Sequence, residues 1–172
     1  MAELISKSLP IFRKHHENIN LVNILQDITS FPQASWKDEH QCISNTDYYL
    51  RNQKTDYWEL AFPTISAFLN GIVHDKLKQF DSWQIPNRLF QVYEQGDFHG
   101  WHVHGNSMFA GVFYISVDGV GALQTRDQSA QYLAVKTGDI ILFPSFLEHR
   151  VAPQESKNKR IVIAFNVNFD KL

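Results

Sequence analysis

The spacing of apolar positions changes once along the chain. In the first half it is helical. Leu21, Ile24, Leu25 and Ile28 fall at i, i+3, i+4 and i+7, with Asn20 placed to cap the start. A longer stripe follows Pro63, a good first-turn residue, and runs through Ile65, Phe68, Leu69, Ile72, Val73, Leu77 and Phe80. Gly71 weakens this second helix, but the stripe outweighs it. From Arg88 onward the texture becomes that of short strands: Arg88–Glu94, Trp101–His104, Met108–Val117, Gly121–Arg126, Tyr132–Val135, Asp139–Phe143 and Arg160–Phe169. Turn chemistry separates them at Gln95-Gly96-Asp97, Asp118-Gly119, Thr137-Gly138 and the polar loop from Glu155 to Lys159.

Strands at this spacing, preceded by helices, predict a mainly β protein with flanking helices, an antiparallel barrel or jelly roll. The expected organisation is one domain over 1–172, with 1–87 as helical flank and cover and 88–172 as the jelly-roll core. Composition narrows the classes. A hydrophobic content of 44%, with 13 Phe, 6 Tyr and 4 Trp, excludes disorder. A net charge of −2 leaves no basic footprint for a nucleic-acid partner. The 172 residues fall short of the roughly 250 of a TIM barrel. Cys42, the single cysteine, excludes a disulfide framework and cysteine-rich zinc sites. No apolar run approaches the ~18–20 residues of a membrane span, and Met1 to Lys14 lacks a signal-peptide pattern. The expected setting is a reducing cytoplasm, without a membrane partner.

The chemistry concentrates in the second half. In His102-Val103-His104, positions i and i+2 of a strand share a face, so two imidazoles project together. His149 follows the apolar run Ile140 to Phe143, in the connection after Pro144, where a jelly roll can bring it beside the His pair. Alone, each of these patterns is more often structural than ligating. Arg160 opens the last strand, in which Ile161, Ile163, Phe165, Val167 and Phe169 form an apolar face. Arg160 shares the other face with Val162, Ala164, Asn166 and Asn168, which suits a barrel interior holding a carboxylate. Tyr93 and Tyr114 are tyrosines able to donate a hydroxyl inward. Signatures of serine hydrolases, phosphate loops and dinucleotide folds are absent.

The order Tyr93, Gly96, His102-x-His104, Tyr114, Gly138, Phe143-Pro144, His149, Arg160 resembles the iron(II)- and 2-oxoglutarate-dependent oxygenases. More narrowly it is similar to a group of small oxygenases of phages and proteobacteria in which His-x-His replaces His-x-Asp. The resemblance covers residues 88–169. It implies a double-stranded β-helix, with His102, His104 and His149 on Fe(II). It also implies Arg160, eleven residues after His149, on the distal carboxylate of 2-oxoglutarate. Tyr93, Tyr114 and Asn166 are the further cosubstrate-side candidates, Asn166 by strand parity. The implied reaction is a hydroxylation by dioxygen coupled to conversion of 2-oxoglutarate to succinate and carbon dioxide, in a bacterial or phage-infected cell. His104 departs from the usual facial triad of two histidines and one carboxylate, and leaves the centre one unit more positive.

Two other readings share these residues. Gly138, Pro144 and His149 have the spacing of a cupin motif, so a three-histidine dioxygenase without 2-oxoglutarate is one alternative. A non-catalytic ligand-binding or virion-associated β-domain is the other. Arg160 separates them, because only the 2-oxoglutarate reading needs it.

Overall fold

The computed structural model of the protein describes residues 2–5, 9–17, 20–50, 55–118, 121–126 and 130–171. The expected turn at Gly119 and much of the loop from Gln128 to Gln131 lie outside them. The chain runs through β1 (Glu3–Leu4), β2 (Phe12–His15), α1 (Leu21–Ser30), β3 (Trp36–Lys37), β4 (Gln41–Ile43), β5 (Asn45–Thr46), a 3-10 turn (Tyr48–Leu50) and α2 (Asp56–Asp75). Eight strands follow: β6 (Ser82–Tyr93), β7 (Phe98–His102), β8 (Phe109–Ser116), β9 (Gly121–Arg126), β10 (Ala130–Val135), β11 (Asp139–Pro144), β12 (Glu148–Val151) and β13 (Arg160–Asp170). They form two antiparallel sheets, ordered β1-β2-β11-β8-β13-β6-β5 and β10-β9-β12-β7-β4-β3. The shuttling of β6 to β13 between the two sheets makes a double-stranded β-helix.

The larger sheet is covered on both faces. Ile24 and Ile28 of α1, with Ile65, Phe68, Leu69 and Ile72 of α2, pack on its outer face against Phe90, Phe113, Ile163 and Phe165. On its inner face Tyr93, Tyr114, Ile141, Phe143 and Val162 meet Leu123 and Val135 of the smaller sheet. Burial on both faces explains why β11 reads as an unbroken apolar run. It also explains the alternation in β13, where Ile161, Ile163, Phe165, Val167 and Phe169 face the helices. Gly111 lets β8 and β13 meet closely, since a Cβ there would lie 2.3 Å from the Phe165 ring.

Three expectations need correction. First, residues 1–87 are not only a helical flank: β1 to β5 extend both sheets, and β6 begins at Ser82. Second, α2 starts at Asp56, and Pro63 lies inside it. Its first turn is stabilised from a distance, because Tyr57 N donates to the Asp27 carboxylate of α1 at 2.7 Å. Asp56 and Glu59 add charge suited to a helix start. The helix ends at Asp75, and Leu77 and Phe80 pack against the core from beyond it. Third, His149 is not in a connection but on β12, a short strand held between β7 and β9.

Candidate metal centre

The pairing of β12 with β7 sets His149 opposite His102. β7 ends at His102, so His104 lies just past the strand. It is fastened there by the next turn: His104 N donates to Ser145 O at 2.9 Å, and Ser145 N donates to Met108 O at 3.0 Å. The Ser145 hydroxyl closes the same loop onto Ser107 O. One ring nitrogen from each of His102, His104 and His149 then falls within 4.8 Å of the other two.

Hydrogen bonds fix which nitrogens are free. His102 Nδ1 lies 2.8 Å from Gly100 O, and His149 Nδ1 lies 2.8 Å from Leu147 O. A carbonyl only accepts, so each Nδ1 carries the proton and each Nε2 presents a lone pair. His104 Nε2 and His149 Nε2 stand 3.3 Å apart. The His149 Nε2 lone pair accepts there from His104 Nε2–H, a proton that a metal ion would displace. The Asn166 side chain hydrogen-bonds His104 from β13. This is a donor set that suits a borderline divalent ion, with backbone carbonyls as outer supports.

Burial holds the imidazoles in their neutral, ligating form. It lowers His104 to about 4, with help from His102, and lowers His99 to about 3, with help from His102 and His104. His102 is lowered, and His149 well below the ordinary value, again chiefly by burial. In metal-free protein the unfolded chain therefore takes up protons below about pH 6.5 while the native chain does not. Stability is thus expected to fall as pH drops from about 6.5 to about 4, by about 3 kcal/mol for a shift like that of His104. Carboxylates contribute mostly below that window. Urea unfolding of chelated protein at pH 7.5, 6.0 and 4.5 checks this. A flat profile to pH 4.5 contradicts it.

The histidines line a cavity of about 340 Å³ between the sheets, and Tyr114, Arg160 and Asn166 line it too. No carboxylate is among its lining residues. Arg160 has a buried Nε without a hydrogen-bond partner. Burial pushes the hydroxyls of Tyr93 and Tyr114 up, and the charge of Arg160 opposes this in both. Tyr93 stands behind the wall: its hydroxyl donates to Gln91 Oε1 at 3.0 Å, and Gln91 in turn lines the cavity. Asp97 lies in the turn after β6 and accepts from Glu94 N at 2.9 Å, away from the histidines' ligand set. The helical flank and the loops around Asp97–Trp101 and Gln128–Gln131 are the parts of the sequence expected to form the mouth. His99 of the first loop lines the cavity with Trp36, Gln41 and Tyr48, while α1 and α2 cover the far face of the larger sheet. His99, a fourth cavity histidine, was not anticipated from the sequence.

Comparison with known proteins fits this centre. Residues 120–166 match the family model described as "Putative 2OG-Fe(II) oxygenase", a stretch that includes His149 and Arg160. That match covers 47 of the 172 residues, and the solved structures that follow share the fold of the chain. A Pseudomonas putida prolyl-4-hydroxylase shares the fold with a TM-score of 0.68 at 13% identity, over 96% of this chain and 94% of that one. The viral collagen prolyl hydroxylase of Paramecium bursaria Chlorella virus-1, solved with 2OG, gives 0.56 at 14% identity over 86% of each chain. HygX of Streptomyces hygroscopicus, solved with nickel and 2-oxoglutarate, gives 0.62 at 8% identity over 93% of this chain and 83% of that one. No curated protein matches the chain. No helix among the described residues is long and apolar enough to cross a membrane.

Proposed function

We propose that the protein is a 2OG-Fe(II) oxygenase, a hydroxylase whose Fe(II) is held by His102, His104 and His149 and whose 2-oxoglutarate is anchored by Arg160. The observation that carries the reading is the meeting, in one cavity, of three neutral imidazoles with a half-buried arginine whose buried Nε has no hydrogen-bond partner. Arg160 also separates this reading from a three-histidine cupin, which has no use for a cation in the same cavity. When bound, the metal and 2-oxoglutarate would let dioxygen act as the oxidant, one oxygen atom going to succinate as 2-oxoglutarate loses carbon dioxide and the other into a substrate C–H bond.

The chain's own residues bind, orient and exclude water. His102 and His149 offer Nε2, with Nδ1 tied to backbone carbonyls. Asn166 holds the ring of His104. Arg160 presents a planar fork to a carboxylate, and Tyr114 beside it offers a hydroxyl to the same group. Three neutral ligands leave the charge of a divalent ion uncompensated, so a doubly anionic cosubstrate neutralises it. The third histidine therefore favours anion binding more than a carboxylate ligand does. The surrounding walls, Leu89, Ala110, Val112 and Phe143, keep that charge pair away from water.

An anaerobic titration of metal-free protein with Fe(II) and then 2-oxoglutarate, followed by visible absorption, tests this. A metal-to-cosubstrate charge-transfer band is expected after the second addition. Iron binding without a band favours the cupin chemistry, and no iron binding makes the histidines structural.

A further inference from the structure

His99 reaches the cavity through an irregularity of β7. The register pairs His149 with His102 and Val151 with His99, so β7 spends three steps where β12 spends two. That is a bulge at Gly100-Trp101, and it re-aims one side chain. On an unbroken strand His99 and His102 would face opposite sides of the sheet. Gly100 is what the bulge requires: its N–H donates to His40 O at 2.7 Å, and a Cβ there would lie 2.7 Å from the same oxygen.

The re-aimed ring lies flat on His102, with centroids 3.9 Å apart and planes 12° from parallel. Trp36 meets the His99 ring edge-on at 5.8 Å and 62°. Trp36 is itself stacked on Tyr48 at 4.0 Å. The result is a column of four rings ending on His102. The hydrogen bond from His102 Nδ1 to Gly100 O pins one point of the ring but leaves a pivot about that bond. A flat neighbour at van der Waals distance removes the pivot.

We infer that His99 is a positioning residue, whose stacked ring sets the plane of His102 so that Nε2 faces the metal. The inference rests on the reading of His102 as a metal ligand. It assigns His99 no bond to the ion, because its nitrogens lie outside the converging set. What matters in His99 is its plane and not its nitrogens, so a phenyl ring in the same place does the same work.

The test is a titration of metal-free protein with Co(II), followed by its visible d–d bands, in wild type, His99→Leu and His99→Phe. Leucine fills a comparable volume without a flat face and preserves the fold. His99→Leu is expected to weaken cobalt binding about tenfold and to alter the band pattern, as loss of an outer support does. His99→Phe is expected to restore the wild-type spectrum and affinity to within about twofold. Unchanged affinity and bands in His99→Leu overturn the inference alone. A His99→Phe variant as impaired as His99→Leu also overturns it, since the nitrogens would then be what counts. A wild type that binds no cobalt removes the metal centre itself, and this inference with it.

Discussion

Replacing His149 with alanine is expected to weaken divalent-metal binding a few hundred-fold and to abolish 2-oxoglutarate turnover. Four-ligand zinc centres bind with about 10–16 kcal/mol, or about 2.5–4 kcal/mol per ligand. Losing one ligand of that strength corresponds to a few hundred-fold in affinity. His149 is the most enclosed of the three, at 5% exposure, and its ring meets Phe143 at 4.6 Å. No carboxylate among the described residues lines the cavity to take its place, and His99 is held flat against His102. The variant also removes a buried imidazole that resists protonation, so its metal-free form is expected to lose less stability on acidification than wild type. Metal content after dialysis, succinate formation and urea unfolding at two pH values read the three effects. His40→Ala, at a surface imidazole 78% exposed, is the control. Metal retention within about tenfold of wild type would mean that His149 is not a ligand of this strength.

The contrast between His149 and His99 shows where sequence is sufficient. In β13 the period of two survives in the fold, so the parity of Arg160 and Asn166 follows directly from the chain. The same holds for α1, whose stripe and Asn20 cap are local: Asn20 Oδ1 accepts from Asn23 N at 3.3 Å. β12 carries no such signal. Glu148, His149, Arg150 and Val151 do not alternate, and the strand exists because β7 and β9 pair with it from both sides. His99 is hidden for a related reason, since a bulge breaks the parity rule on which a reading of faces depends. The start of α2 is invisible locally because its stabilising carboxylate, Asp27, comes from another helix. β1 and β3 to β5 are two or three residues long, too short for any period to register. Order along the chain and the parity of β13 thus point to the candidate site residues, while bulges and distant caps belong to tertiary structure.

Arg160→Gln is expected to raise the dissociation constant for 2-oxoglutarate by two orders of magnitude or more while leaving metal affinity unchanged. Truncating one partner of a buried, hydrogen-bonded charge pair costs about 2–5 kcal/mol, roughly 30- to 5,000-fold in affinity. Arg160, half-buried at the cavity wall, falls in the middle of that range. It lines an enclosed cavity without a carboxylate, and its Nε is buried with no protein partner. Tyr93 and Tyr114, the hydroxyl groups that feel its charge, cannot neutralise it. Glutamine keeps hydrogen-bonding capacity but removes the charge. Arg160→Lys keeps the charge and loses the planar fork, so it is expected to fall between wild type and Arg160→Gln. Cosubstrate-free stability should not suffer, because Arg160 is only half-buried and its buried Nε has no hydrogen-bond partner to lose. The stabilisation that 2-oxoglutarate confers on the metal-loaded protein should vanish instead. At a hundred times the wild-type dissociation constant that stabilisation is about 2.7 kcal/mol, and a hundredfold weaker variant retains only about 0.4 kcal/mol of it. Thermal unfolding with and without 2-oxoglutarate, alongside the anaerobic absorption titration, separates this from a general loss of structure. Equal 2-oxoglutarate stabilisation in wild type and Arg160→Gln would place the distal carboxylate elsewhere in the cavity.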